Sequence, residues 1–344
     1  MTSIDARGRV LEGPNVTGEP TSILTSLEDS IPSVPFLHVI PRFSAMRGIE
    51  VRMVRDDLIP VLGGGNKVRK VLAHVRAVAT EQTDAVITAG GLGSNHCRVT
   101  AGLAAMMGWK CHLVLHNGVR PKGHISGENV RLMDWWGATY EVVQPQDIGS
   151  SISRAAAAFA ERGEVLQVIP GGAHSQWGME AYAAAVAALE PQLRAWTPDY
   201  CLVVCGTGGT LAGLVKGFQD MALTTHVLGI SVARRSSEAG SAVSELLEPT
   251  GSKTGLAYPI DVRDDWVGNG YGIPTGESWA AVDELARSDG ILLDPIYTGK
   301  AFGALCDMIG TGEVPLGSRV LFWHTGGQFN LLDSLRLRAK GPRA

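Results

Sequence analysis

A chain of 344 residues that is 45% hydrophobic can bury a large core and has room for two domains. A net charge of −4 and a pI near 6.1 exclude the basic footprint of a nucleic-acid-binding protein, and no apolar run approaches the roughly 20 residues needed to cross a bilayer. The opening segment has no apolar stretch of signal-peptide type, and the five cysteines (Cys97, Cys111, Cys201, Cys205 and Cys306) form no CxxC pair and no zinc-ligand spacing. Both observations point to a cytoplasmic protein with reduced thiols and no metal site.

The first 35 residues, rich in Pro, Gly, Ser and Thr, read as an irregular arm. The stretch "GGGNKVRK" (63–70) then sets a Lys beside a flexible glycine run. Only eight of the 30 basic residues are Lys, and an Arg would serve any surface role there equally well. An amine, unlike a guanidinium, can lose its proton and attack a carbonyl. A helix-start Lys on a solvated surface is the ordinary alternative, which the preceding glycines weaken because they allow close approach of a ligand.

Beyond it, strands and helices alternate. "AVITAGG" (85–91) reads as a strand, followed by Ser94, Asn95 and His96 at the start of the helix "RVTAGLAAMMG". Ser and Asn are ordinary helix caps, but three polar residues together at a strand's carboxyl end exceed what a cap requires. Strands "CHLVLH", "VLQVIPGG", "CLVVCGTGG", "VLGISV", "GILLDP" and "VLFWHTGG" follow. Between them lie the helical patterns "SRAAAAFAERG", "GMEAYAAAVAALEPQLRAW" and "TGKAFGALCDMIGTG". Continuous apolar strands separated by helices predict an α/β fold with parallel sheets covered on both faces, and ligands then bind at the strands' carboxyl ends. Residues 238–276 are the least regular part of the second half and suit an active-site loop.

The strongest local signal is Gly206-Thr207-Gly208-Gly209-Thr210, between a buried strand and an apolar helix. Free N–H groups at a helix start, with hydroxyls alongside, cradle a phosphate dianion. Leu211 occupies the last glycine position of GxGxxG and no GK[ST] is present, so a nucleotide is disfavoured. A reactive Lys with a phosphate cradle suits a phosphate-bearing aldehyde, and pyridoxal 5′-phosphate is such a molecule.

The stretch "GGNKVRK" resembles the pyridoxal-lysine motif of the 1-aminocyclopropane-1-carboxylate (ACC) deaminase and D-cysteine desulfhydrase family. That family belongs to the tryptophan-synthase-β-like fold type II of pyridoxal-phosphate enzymes. The resemblance runs in order through "GSNHCR", "VIPGG", "CGTGGTLAG", "YGIPT", "LDPIYTGKA" and "HTGG", over about residues 36 to 330. It implies two open, mostly parallel twisted sheets flanked by helices. It further implies a large domain of residues 1–75 and 186–344, a small domain of residues 76–185, an active site between them, and a homodimer.

By the same resemblance Lys67 is the lysine that bonds the cofactor, with Asn66 in the same pocket. Gly206, Thr207, Gly208, Gly209 and Thr210 hold the phosphate, and Asn95 meets the cofactor's 3′-hydroxyl. Ser94, Asn95 and His96 contact the substrate together with the pocket tyrosines Tyr271 and Tyr297. Thr298 falls where a side chain meets the pyridine nitrogen. Deaminases resemble "SNQ" and "YEGK", whereas this chain has "SNH" and "YTGK", as the desulfhydrases do. The implied reaction is β-elimination from a small amino acid, with Lys67 as the general base at Cα and Ser94, Tyr271 and Tyr297 assisting, giving pyruvate, ammonia and the leaving group. Gly93, where a Gln often precedes "SN", and "PFLHVIPRFS" in place of the usual "TPL" segment depart from the pattern and leave the substrate open. An ACC deaminase, a specialised-metabolism enzyme acting on another amino acid, a catalytically repurposed homologue and a dinucleotide-dependent dehydrogenase stand as alternatives.

Overall fold

The computed structural model describes residues 20–117, 127–248 and 259–339. Its strands are β1 (Leu37–Val39), β2 (Glu50–Arg55), β3 (Ala85–Gly91), β4 (Lys110–His116), β5 (Thr139–Val143), β6 (Leu166–Val168), β7 (Tyr200–Cys205), β8 (His226–Ser231), β9 (Asp261–Arg263) and β10 (Arg319–His324). They form a six-stranded sheet, β1-β2-β10-β7-β8-β9, and a four-stranded sheet, β5-β4-β3-β6. Every pairing is parallel except β1 with β2. This is an α/β fold of two mostly parallel sheets flanked by helices, as the sequence predicts.

Strands buried on both faces must be apolar throughout, because alternate side chains feed opposite cores. On β7, Leu202 and Val204 join one core while Cys201, Val203 and Cys205 join the other. On β10, Val320 and Phe322 face the first and Leu321 and Trp323 the second. Cys201 and Cys205 are thus core residues, and burial raises their thiols, Cys201 beyond the usual range and Cys205 to about 11. The four-stranded sheet packs on a third core that includes Val86, Leu113 and Leu115. Helix ends follow the expected glycine logic: Gly108 and Gly312 are left-handed, with φ of 68–80° for such caps including Gly48 and Gly290.

Several expectations change. "GILLDP" is not a strand. Ile291 and Leu293 are buried, but the chain there is irregular, and Asp294 takes the N–H groups of Ile296, Tyr297 and Thr298. Part of the expected N-terminal arm is the helix Pro20–Asp29, residues 1–19 lying outside the described residues. Residues 238–247 belong to the helix Ser236–Leu247, and residues 249–258 are outside the described set. The helix expected over 178–196 is two, Gln176–Ala188 and Glu190–Ala195. Pro191, in the first turn of the second, lacks the N–H that would continue the first. Strands β1, β2, β5 and β9 are short or charged, which hid them from an apolar-run criterion.

Candidate active site

One cavity of about 650 Å³ collects the carboxyl ends of β3 and β7 and the segment after β10. The glycine run shapes one wall. Gly63, Gly64 and Gly65 have φ of 71°, 67° and 93°, and a Cβ on Gly64 would lie 2.6 Å from the Asp57 carbonyl oxygen. Only glycine permits both the left-handed backbone and that approach. The buried Arg98 guanidinium binds the carbonyls of Leu62 and Gly64 and stacks on Phe329 at 4.7 Å. The N–H of Asn66 reaches the Thr325 carbonyl at 2.9 Å. The turn is therefore anchored, and the helix Asn66–Val78 starts with Lys67 on the cavity wall. Burial brings the Lys67 ammonium down to about 8, which favours the nucleophilic free amine.

The glycine-rich turn after β7 forms another wall of the cavity. The chain leaves β7 through Gly206, Thr207 and Gly208 into the helix Gly209–Asp220. Gly208 is its N-cap, with φ of 92°, and no side chain caps it. Asn66 donates from Nδ2 to the Thr210 hydroxyl at 3.0 Å, tying the cradle to the Lys67 helix. A Cβ on Gly209 would meet Lys70 Nζ at 2.7 Å and His174 Nδ1 at 3.7 Å. Lys70 is buried, and desolvation together with the neighbouring Lys67 pushes its ammonium well below the usual range. His174 is lowered to about 4 by burial and by the cations Lys70, Arg234 and Lys67, and its Nδ1 is enclosed without a partner.

At the other end, Ser94 caps the helix Asn95–Met107, its hydroxyl accepting the Cys97 N–H at 3.2 Å, so the capping explanation holds while the residue also borders the cavity. Asn95 Oδ1 accepts from Asn129 at 3.2 Å. Thr88 donates its only hydroxyl proton to the Ile169 carbonyl, so the 2.7 Å contact with His96 is a bond donated by His96 Nε2. Burial lowers His96 far below its usual range, leaving it neutral with a bare, enclosed Nδ1. Tyr271 and Tyr297 close this end, hydroxyl to hydroxyl at 2.7 Å.

Thus the cavity gathers Asn66, Lys67, Ser94, Asn95, His96, the five cradle residues 206–210, Tyr271 and Tyr297. Thr298 is not on its wall: it is fully buried and its hydroxyl proton goes to Asp294 Oδ1 at 2.8 Å. Gly93 lines a small adjoining cavity, and its carbonyl is held by Asn129 and Asn330. Sequence reading missed Lys70, His116, His174 and Thr325 on the main wall. Lys70 carried a usable signal, since a residue three after Lys67 shares its helix face. The histidines carried none, being isolated residues placed by topology.

The profile of the pyridoxal-phosphate dependent enzyme family matches residues 35–326. The chain belongs to this family. A crystal structure of an ACC deaminase homologue is 30% identical, with a TM-score of 0.78 over 94% of this chain and 99% of that one. Threonine deaminase isoform 2 from Solanum lycopersicum (12% identity, TM-score 0.63, 94% and 92% coverage) shares the fold. So does Escherichia coli diaminopropionate ammonia lyase (14% identity, TM-score 0.62, 96% and 94% coverage).

The cofactor is therefore pyridoxal 5′-phosphate, and the cavity fits it. The helix Gly209–Asp220 opens on the cavity with no side-chain cap, and Lys67 and Lys70 have no carboxylate partner among the described residues. A Cβ on Gly209 would meet Lys70 Nζ at 2.7 Å, and the Lys67 amine of lowered affinity for protons stands on the same wall. Among the described residues no cluster of His, Cys, Asp or Glu can hold a metal ion, and no helix is long and apolar enough to cross a membrane.

Proposed function

We propose that this enzyme catalyses β-elimination from a small β-substituted amino acid, in the manner of a D-cysteine desulfhydrase, releasing pyruvate, ammonia and the leaving group. The observation that carries the reading is the common cavity of Lys67, the Ser94–His96 helix start and the Tyr271–Tyr297 pair. Bound pyridoxal phosphate supplies electron withdrawal from the substrate's Cα. The Lys67 amine takes the Cα proton, a role suited to its lowered affinity for protons. Ser94, Asn95 and His96 open a helix whose positive end receives the substrate carboxylate. The paired hydroxyls of Tyr271 and Tyr297 hold and pass a proton where the β-substituent departs. Gly206 to Thr210 and Asn66 hold the phosphate, and Asn95 meets the 3′-hydroxyl.

An ACC deaminase reading is favoured by the 30% identity to a homologue of that enzyme, and "SNH", whose residues line the cavity, favours the desulfhydrase side. Keto-acid release across D- and L-amino acids and the cyclopropane substrate tests both. Pyruvate from D-cysteine supports the first reading, 2-oxobutyrate from the cyclopropane substrate the second, and no keto acid from either overturns both. The same reading carries a cytoplasmic homodimer, and a large domain of residues 1–75 and 186–344 with a small domain of residues 76–185.

A further inference from the structure

His116 lies on the cavity wall and takes no part in the proposed reaction. It ends β4 and borders both the main cavity and the small one beside it, at the wall formed by Gly91, Tyr271 and Tyr297. Its ring centroid lies 6.1 Å from that of Tyr271, and its Cε1 is 3.7 Å from the point a Cβ on Gly91 would occupy. Among the described residues, Nδ1 is enclosed with no partner, and the other ring nitrogen forms no hydrogen bond. Burial alone lowers its affinity for protons, with no charged group contributing, so the ring is neutral at pH 7.

A neutral imidazole offers one N–H and one lone pair. A hydroxyl or thiol satisfies it in either tautomer, since such a group both donates and accepts. A hydrogen or an alkyl group does neither. The position decides which part of a substrate arrives there. The phosphate cradle fixes the far end of the cavity and Lys67 the reacting carbon. What projects beyond Cα toward the tyrosine pair is the β-carbon and its substituent.

We propose that His116 is a specificity-determining residue that hydrogen-bonds a hydroxyl or thiol on the substrate's β-carbon. The inference rests on the proposed reaction at an amino acid and adds to it the chemical class of the substituent. Enclosed polar groups discriminate by being left unpaired when the wrong ligand binds, so the preference is against substrates lacking the group.

The test is rapid-mixing titration of the holoenzyme with serine and alanine, in both enantiomers, reading the first change in cofactor absorbance before turnover. The wild type should bind serine about tenfold more tightly than alanine. His116→Phe, or His116→Leu should the ring not be accommodated, should bring the ratio to within about twofold, and His116→Gln, which keeps a donor and an acceptor, should restore part of it. A wild type with no serine preference, or a Phe or Leu variant that keeps the wild-type ratio, overturns the role of His116. If neither amino acid perturbs the spectrum, the amino-acid reading fails, and this inference falls with it.

Discussion

Thr298 and Asp294 are locked together inside the protein: the threonine hydroxyl donates to Asp294 Oδ1 at 2.8 Å and accepts the Asp294 N–H at 2.9 Å. Both residues are fully buried, and the carboxylate also receives three backbone N–H groups from residues 296–298. The pair builds the turn that presents Tyr297. Thr298→Val removes a donor from a buried carboxylate and should lower stability by about 1–3 kcal/mol, seen as a reduced melting temperature. Cofactor affinity should change little. A variant with unaltered melting temperature but a shifted cofactor spectrum would place the hydroxyl against the pyridine ring instead.

The tyrosine pair makes a second prediction. Tyr271 and Tyr297 share one hydrogen bond, so removing either hydroxyl breaks the same unit. Tyr271→Phe and Tyr297→Phe should each reduce turnover by about 10²–10³-fold, in the range of a lost proton-transfer group, with cofactor spectra unchanged. The double variant should be little worse than either single one. Steady-state kinetics that give fully multiplicative losses would show two independent roles.

Cofactor retention should depend on the cradle. Gly209→Ala sets a methyl group 2.7 Å from Lys70 Nζ, within the space proposed for the phosphate, and should abolish cofactor binding while the protein still folds. Thr210→Val removes the acceptor of Asn66 and leaves the backbone donors in place, so affinity should fall by about 1–2 kcal/mol. Equilibrium dialysis with pyridoxal phosphate measures both. An alanine variant that binds as the wild type does would exclude this cradle.

Lys67 should react with a pH dependence set by burial. Its ammonium is lowered to about 8 from the ordinary 10.5, so the free amine accumulates as pH rises through 8 and is nearly complete by about pH 9. The rate at which the apoprotein captures pyridoxal phosphate should climb through pH 8 and then level off. A rate still climbing steeply above pH 9.5 would indicate an amine exposed to water.

The chemistry-bearing glycines were legible in the sequence because their conformations leave traces. Gly63 to Gly65 mark a left-handed turn, and Gly206 to Gly209 mark a strand running into an uncapped helix. The apolar strands β3, β4, β7, β8 and β10 were legible for the same kind of reason, since burial on both faces admits no polar alternation. Residues that enter the cavity from distant parts of the chain left no such trace. His116 and His174 are single residues whose placement depends on strand order. "ILLDP" shows the limit of the apolar criterion: Ile291 and Leu293 are buried, yet the chain is irregular and the Asp294 side chain takes the N–H groups that follow it. Thr298 illustrates the same limit, since its position in a motif does not reveal which way its hydroxyl is bonded.

The Lys67 amine, rather than that of the more deeply buried Lys70 one helical turn on, is proposed to carry the cofactor. Borohydride reduction of the holoenzyme followed by peptide mapping tests it directly. The pyridoxyl group should be found on Lys67, and the Lys67→Ala protein should carry no label. A label on Lys70 or Lys300 would contradict the account.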